Sequence, residues 1–381
     1  MTSRSAQQSL SRGRPMLYAD YRAEQAIWNT TSKKVVSLLL FIVALSLPMF
    51  LNRDLIGVFA LVIVYAIGGI GLNIISGYAG QISLGHAFFM GLGAYTAAVV
   101  GGVSTNLVRG FELDVLIWLP LAGLVPAAIG WLIAPLAARV RGLYLAILTL
   151  GLLFIGEHIF KEATWMSGGG GVGRAPTTVV LAGFNIYQRR TIFGVDFSAI
   201  GMFYLFCLLL LVVMGILARN LARSRQGRSF AAVRDRDIAA EVMGVPLMQT
   251  KRLAFTISSF YAGIAGALLT VVLGFTTPER WNLLLSIDFL AVVLIGGVAT
   301  ISGPIAGAMF VVLLPRIIEW AARILPFIST TVGSNQFLNV FQLQRILFGA
   351  MIVLFLVLEP RGLYGIWIRV RNYFKAWPFS Y

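Results

Sequence analysis

Long apolar runs alternate with short polar segments along most of this 381-residue chain. A helix rises about 1.5 Å per residue, so roughly 20 apolar residues cross a hydrocarbon layer of about 30 Å. We therefore predict an all-α, polytopic bundle of transmembrane helices with about ten spans (8–10). The predicted spans are 35–51, 55–75, 82–102, 115–138, 143–160, 198–218, 253–275, 285–299, 303–314 and 346–358. The last two runs are short for a full crossing, so they either extend into neighbouring residues or break partway.

Composition also indicates a membrane protein. Hydrophobic residues make up 58% of the chain and charged residues 12%, about half of the roughly 25% charged residues usual in soluble domains. The single cysteine, Cys207, lies inside an apolar run, which excludes a disulfide framework. We divide the chain into a polar, basic N-terminal tail (1–34), a transmembrane domain (35–368) and a C-terminal tail (369–381).

The distribution of basic residues predicts the orientation in the membrane. With ten spans, both termini lie on one side, and the segments on that side hold 20 of the 30 Lys and Arg residues. These segments are 1–34, 139–141, 219–252 and 361–381. Cytoplasmic loops carry an excess of Lys and Arg, so we expect both termini in the cytoplasm. The net charge of +15 then reflects topology and contact with anionic membrane lipid rather than binding of nucleic acid.

Residues 219–252, here called the basic loop, connect two uncharged apolar runs. Their pattern predicts an element that docks on a partner. Residues 237–245 of the loop look like a short helix that Gly244 terminates and that Pro246 prevents from resuming. The small side chains of Ala239 and Ala240 would let the groove of a partner approach the helix closely. The arginines before them, which include Arg234 and Arg236, suit acidic partner residues or lipid headgroups. Taken alone, such a segment is also consistent with an ordinary cytoplasmic loop.

A glycine-interrupted segment joins the second and third spans. Between residues 71 and 86 glycines recur every few positions, and the polar residues among them are Asn73, Tyr78, Gln81, Ser83 and His86. Polar side chains at membrane depth need partners, and glycine lets helices unwind or approach closely. The segment predicts a broken helix that lines a water-filled path, or a tight turn on the inner side, and the two are compatible. A second interrupted stretch lies at 296–307.

Two carboxylates inside the predicted spans, Glu157 and Asp288, are further candidates for a translocation path. A charge is costly in lipid and tends to face a cavity or a partner; the alternative for each is an interfacial carboxylate in contact with water. Catalytic chemistry is poorly supported, because the chain has two histidines, no H-E-x-x-H sequence and no G-x-x-x-x-G-K-[ST] phosphate loop. We predict no enzymatic activity, no cofactor and no metal.

Three stretches in this order resemble the membrane permeases of ATP-binding-cassette (ABC) importers for branched-chain amino acids, in particular their LivM-like subunit. They are Gly71–Tyr95, Gly227–Leu268 and Leu294–Pro315, with Arg141–Tyr144 and Glu359–Leu363 in support. The resemblance implies that Ala239, Ala240, Glu241 and Gly244 match the family's coupling helix, which docks into a cleft on an ATPase. It further implies a multi-pass protein of the bacterial cytoplasmic (inner) membrane that works with a second, LivH-like permease, two ABC ATPases and a periplasmic solute-binding protein.

Three hypotheses follow. The leading one is a permease subunit that translocates a small amino acid, expected to be leucine, isoleucine or valine; related importers also take other amino acids, amides, urea or aromatic acids. The runner-up is an ion-coupled carrier or channel for a small polar solute, with Asp288 and Glu157 as ion ligands. A membrane scaffold protein is the third.

Overall fold

A computed structural model describes residues 31–140, 142–169, 173–192, 195–324, 328–329, 338–359 and 361–376. Most of the predicted N-terminal tail (1–30) and the end of the C-terminal tail (377–381) lie outside these ranges. In chain order the helices are α1 (Thr31–Phe50), α2 (Arg53–Leu72), α3 (His86–Gly101), α4 (Val115–Arg139), α5 (Leu143–Glu162), α6 (Thr164–Ser167), α7 (Ala199–Arg223), α8 (Arg225–Asp235), α9 (Asp237–Val242), α10 (Leu247–Leu273), α11 (Leu283–Gly296), α12 (Ser302–Ile324), α13 (Val340–Leu358) and α14 (Gly362–Ala376).

The helices α1–α5, α7 and α10–α13 follow the ten predicted spans in order, so the polytopic helical bundle is confirmed. Within the described ranges, six helices are long and apolar enough to cross a membrane. Both short runs near the C-terminus extend into their neighbours: α12 has 23 residues and α13 has 19. By contrast, α3 has 16 residues and α11 has 14.

Polar side chains at the starts of several helices explain where these helices begin. Asp114 accepts a hydrogen bond from Leu116 N of α4, Ser198 accepts one from Gly201 N of α7, and Asn282 accepts one from Leu285 N of α11. Such caps satisfy backbone N–H groups that have no partner inside the helix. The side-chain caps therefore fix the first residues of α4, α7 and α11.

Among the described residues, three pairs of very short strands lie in the loops. Antiparallel pairs join β1 (Val180–Leu181) to β2 (Phe184–Asn185) and β3 (Arg190–Ile192) to β4 (Val195–Phe197), and a parallel pair joins β5 (Ile328–Ser329) to β6 (Leu338–Asn339). The strands have two or three residues each, which is too short to give a hydrophobic pattern in the sequence. The class of the fold remains all-α.

Helices α2 and α10 occupy the centre of the bundle, and most of their residues are buried. Small residues let the neighbouring helices approach α10 closely. A Cβ on Gly263 of α10 would overlap the carbonyl oxygen of Ala122 in α4. Close backbone approach through small residues is a usual way for membrane helices to pack, and it gives α10 a fixed position under the basic loop.

The basic loop is largely helical. Helix α7 extends to Arg223 and α10 already begins at Leu247, so both project beyond the uncharged runs, and α8 and α9 lie between them. The guanidinium of Arg252 lies 3.3 Å from the ring centroid of Trp131, and its Nε donates to the Trp131 carbonyl oxygen at 3.2 Å. This stacking is a cation–π contact, and it fixes the first turns of α10 against α4.

Candidate functional site in the basic loop and the glycine-interrupted segment

Helix α9 ends as the sequence predicts. The backbone N–H of Gly244 donates to the Glu241 carbonyl oxygen at 2.9 Å, and that of Val245 donates to the Ala240 carbonyl oxygen at 2.9 Å. This pair of bonds forms a Schellman motif, whose left-handed position favours glycine. Gly244 occupies that position with a φ of 84°. The termination of the helix at Gly244 is therefore confirmed.

The exposed surface of α9 and the turn after it is apolar. Ile238, Val242 and Met243 are 63%, 82% and 85% exposed, and sequence reasoning missed all three. The spacing of Ile238 and Val242, four residues apart, was the available signal, because such residues share a helix face. Large apolar side chains that lie together at the surface mark sites of interaction.

The predicted docking residues of α9 do not all share that surface. Ala239, Glu241 and Gly244 are exposed, whereas Ala240 is 5% exposed and packs into the chain. Ala240 therefore lies outside any surface that α9 offers to a partner in this conformation.

The two predicted docking arginines are both exposed but differ in their contacts. Arg234 Nη1 donates to the carbonyl oxygen of Gly77 at 3.2 Å, and Nε donates to Asp235 at 3.1 Å. Arg236, between α8 and α9, makes no side-chain contact of this kind in the described part of the chain. Arg234 thus connects the basic loop with the end of α2.

A groove of about 630 Å³ runs beside α9. Its walls come from the segment after α2, the turn between α4 and α5, and the basic loop, and they include Gln81, Val140, Arg236, Ile238 and Lys251. Lys251 Nζ lies 3.8 Å from Asp237 Oδ2. The groove and the exposed surface of α9 together form a continuous feature that an element of another protein can fit.

The glycine-interrupted segment is a broken helix, which agrees with its predicted form. Helix α2 continues as a π-helical turn over Asn73–Tyr78, and an irregular stretch leads from Ala79 to the start of α3 at His86. Asn73 is 1% exposed. Its Nδ2 donates to the Thr300 carbonyl oxygen at 2.5 Å, and its Oδ1 accepts from the Ala299 backbone N–H at 2.9 Å. Asn73 therefore holds the turn between α11 and α12, which contains the second interrupted stretch.

The other polar residues of this segment face different surroundings. Tyr78 lies near Arg223, Arg234 and Tyr364. Gln81 and Ser83 are buried, and Gln81 Nε2 has no hydrogen-bond partner in the described part of the chain. His86 is buried, with its ring centroid 5.3 Å from that of Phe289. Whether these side chains line a path stays a prediction, because the segment turns several of them into the bundle.

The two predicted carboxylates do not form a common site. Glu157 Oε1 accepts from Lys161 Nζ at 2.8 Å on the same face of α5. Asp288 is half-buried on α11, and its carboxylate has no ion pair or hydrogen bond among the residues that the structure describes. A carboxylate inside a membrane helix needs water, a partner or an ion, so Asp288 remains the stronger candidate for the path.

On the side opposite the basic loop, a buried arginine that sequence reasoning missed ties several loops together. Arg174 donates to the carbonyl oxygens of Met166 at 2.8 Å, of Arg109 at 2.6 Å and of Ala98. Burial lowers the pKa of the Arg174 guanidinium from its usual value, and the three carbonyl oxygens stabilise its charge. Its position in a glycine-rich loop gave no signal in the sequence.

Comparison with known proteins identifies the family. Residues 54–356 match the family model described as "Branched-chain amino acid transport system / permease component". The high-affinity branched-chain amino acid transport system permease protein LivM of Escherichia coli K12 is 30% identical over 351 residues, which cover 88% of this chain and 76% of that protein. The LivM protein of Salmonella typhimurium is 29% identical over 350 residues, with the same coverage.

A more distant relative transports something else by name. The autoinducer 2 import system permease protein LsrC of Enterobacter sp. strain 638 is 29% identical over 219 residues, which cover 56% of this chain and 57% of that protein. No solved structure matches the chain. The family match covers well over half of the chain, in a protein whose helices suit a multi-pass membrane protein. The chain belongs to the branched-chain amino acid transport permease family, and it is a permease subunit of an ABC importer.

Proposed function

We propose that this subunit translocates branched-chain amino acids across the cytoplasmic membrane of a bacterium. A periplasmic binding protein would deliver the solute, and two ABC ATPases would dock on the basic loops of this permease and a second, homologous one. ATP hydrolysis then belongs to the partners. The observation that carries the proposal is the exposed apolar surface of α9, formed by Ile238, Val242 and Met243, in a loop otherwise rich in arginine.

The position of α9 supports a protein partner rather than lipid. The basic loop separates two membrane helices, α7 with Arg223 in its last turn and α10 with Lys251 and Arg252 near its start, which supports a position of α9 on the water side of the membrane interface. Exposed aliphatic side chains in water gain from burial at about 25 cal/mol per Å². A cleft on a partner would supply that burial, while the exposed Arg236 at the start of α9 would select acidic groups at its rim.

Capture of the ATPases tests the docking assignment. The full chain, with an affinity tag, is expressed with the ATPase subunits of its importer, and the ATPase recovered with Val242→Asp and Met243→Asp is compared with the wild type. We expect a loss of about tenfold or more for each, since a buried interface anchor contributes roughly 2 kcal/mol or more. Gln226→Asp is the matched control, because it adds the same charge at an exposed position of α8. Recovery of as much ATPase with both α9 variants as with the wild type would contradict the docking assignment.

The substrate assignment rests on the LivM relatives, which are named for branched-chain amino acids. The complete importer is purified with its binding protein, and ATP hydrolysis is measured across a panel of amino acids, amides, urea and aromatic acids. Leucine, isoleucine and valine are expected to give the strongest stimulation. Stimulation by urea or an amide alone would replace the proposed substrate and leave the ATP-driven mechanism in place.

Asp288 supports a second candidate function, an ion-coupled carrier. Its carboxylate lies on a membrane helix and makes no ion pair or hydrogen bond in the described ranges, which suits a transported or coupling cation. This candidate predicts uptake by the purified chain alone in proteoliposomes, under an ion gradient and without ATP. Asp288→Asn would abolish that uptake by removing the charge.

A further inference from the structure

A short series of hydrogen bonds connects the basic loop with the turn between α11 and α12. Arg234 Nη1 donates to the carbonyl oxygen of Gly77, inside the π-helical turn. Four residues earlier in the same turn, Asn73 binds the backbone of Ala299 and Thr300 on both sides of its amide. The basic loop and the α11–α12 turn are therefore attached to the same six-residue turn at the end of α2.

Two glycines make these contacts possible. A Cβ on Gly77 would overlap the Asn73 amide and lie 2.7 Å from the Ala299 nitrogen. A Cβ on Gly80, whose φ is 68°, would lie 2.8 Å from Arg234 Cγ. Both glycines thus serve the fit between three segments that are far apart in the sequence.

The π-helical turn Asn73–Tyr78 departs from regular α-helical hydrogen bonding. Ala79 N donates to the Ile74 carbonyl oxygen at 3.2 Å, a bond that spans five residues as in a π-helix, and Gln81 N donates to that of Ile75 at 2.9 Å, a bond that spans six. The wider π geometry is rare, occurs mostly as single turns and is frequent at functional sites. A displacement of Arg234 pulls on the Gly77 carbonyl, and Asn73 carries the movement of the turn to α11 and α12.

We propose that Arg234 and Asn73 are positioning residues that transmit movement of the basic loop, through the π-helical turn Asn73–Tyr78, to the α11–α12 turn. The proposal rests on the proposed function, because the movement originates in ATPases docked on α9. It gives Arg234 a role toward the membrane domain in place of the predicted contact with an ATPase. Helix α11 also carries Asp288, so the relay ends on the helix that holds this carboxylate.

The ratio of ATP hydrolysed to leucine imported tests the relay. The complete importer is reconstituted in proteoliposomes with Arg234→Ala, Arg234→Lys or the control Arg225→Ala, and phosphate release and leucine uptake are measured together. Arg225 is an exposed arginine of the same loop whose side chain makes no hydrogen bond or ion pair in the described part of the chain, so its removal matches the loss of charge. ATPase capture is measured on each sample.

We expect Arg234→Ala to capture the ATPases and hydrolyse ATP like the wild type, while the ATP to leucine ratio rises about tenfold, the equivalent of one charge-assisted hydrogen bond. Arg234→Lys should restore the ratio in part, because its ammonium group still donates, and Arg225→Ala should leave it unchanged. An unchanged ratio in Arg234→Ala would overturn the relay, and so would loss of ATPase capture, which would make Arg234 a docking residue. A wild-type complex without ATP-dependent uptake would instead contradict the proposed function, and the relay with it.

Discussion

Asn73 accepts a hydrogen bond of 2.9 Å from the backbone of Ala299, a residue 226 positions further along the chain. The same side chain donates to the carbonyl oxygen of Thr300. One buried amide thus joins the end of the second membrane helix to a turn of the C-terminal half. Buried polar groups are stabilising only when they have partners, and here donor and acceptor are both satisfied.

Asn73→Asp should lower stability by about 1–3 kcal/mol, because the Thr300 carbonyl loses its donor and faces a carboxylate. Thermal unfolding of the purified chain in detergent measures this change. Asn52→Asp is the matched control: Asn52 is exposed at the start of α2 and its side chain makes no cap bond there, so a negative charge at this helix start is favourable. Equal unfolding temperatures for the two variants would mean that the Asn73 contacts contribute nothing.

Gly77→Ala should destabilise the chain by roughly 1–3 kcal/mol through overpacking, since the added methyl group meets the Asn73 amide. Gly151→Ala, in α5, places the same methyl group where no other atom lies within 4 Å. The second variant should be as stable as the wild type or more so, because alanine favours a helix over glycine. A Gly77→Ala protein that unfolds at the wild-type temperature would contradict the close fit at the π-helical turn.

Ala299→Gly should raise stability or leave it unchanged, although glycine usually weakens a fold. Ala299 has a φ of 59°, a left-handed conformation that costs an L-residue about 1 kcal/mol. Ala128→Gly, at an exposed position inside α4, should instead lower stability by about 1 kcal/mol. The same substitution is thus expected to change stability in opposite directions at the two sites, and thermal unfolding of both variants measures this. A loss at Ala299 as large as that at Ala128 would exclude strain at the turn.

Arg174→Met should cost roughly 3 kcal/mol or more, because three buried carbonyl oxygens lose a charged donor. Arg280→Met removes an exposed arginine from the same end of the bundle and should change stability little. In Arg174→Met, limited proteolysis should cleave first in the segments that Arg174 binds, around Ala98, Arg109 and Met166. If both arginine variants unfold alike, Arg174 does not organise these loops.

The sequence was sufficient to predict the membrane helices and the end of α9. Apolar runs are local signals that depend on bilayer thickness, and the stop at Gly244 and Pro246 depends on backbone conformation within a few residues. Even so, the ninth and tenth spans appeared too short, because charged or polar residues near their ends continue the helices α12 and α13.

The functional contacts were harder to predict, since they depend on which way a side chain points. Nothing near Arg234 in the sequence indicates that it reaches Gly77, and Ala240 reads as part of an exposed face although it is buried. The role of Asn73 requires the approach of residues more than 200 positions away. The many glycines of the glycine-interrupted segment were visible in the sequence. Only the packed structure shows that Gly77 leaves room for the Asn73 amide and Gly80 for Arg234.

ATP-dependent uptake measures most directly whether this subunit converts ATP hydrolysis by partner proteins into solute import. The full chain is reconstituted in proteoliposomes with the second permease and the two ATPases, with ATP inside and the leucine-loaded binding protein outside. Leucine should accumulate only when ATP, both ATPases and the binding protein are all present, and Met243→Asp in the basic loop should abolish the accumulation. Uptake of leucine by this chain alone, driven by an ion gradient and independent of ATP, would contradict ATP-driven import by this subunit.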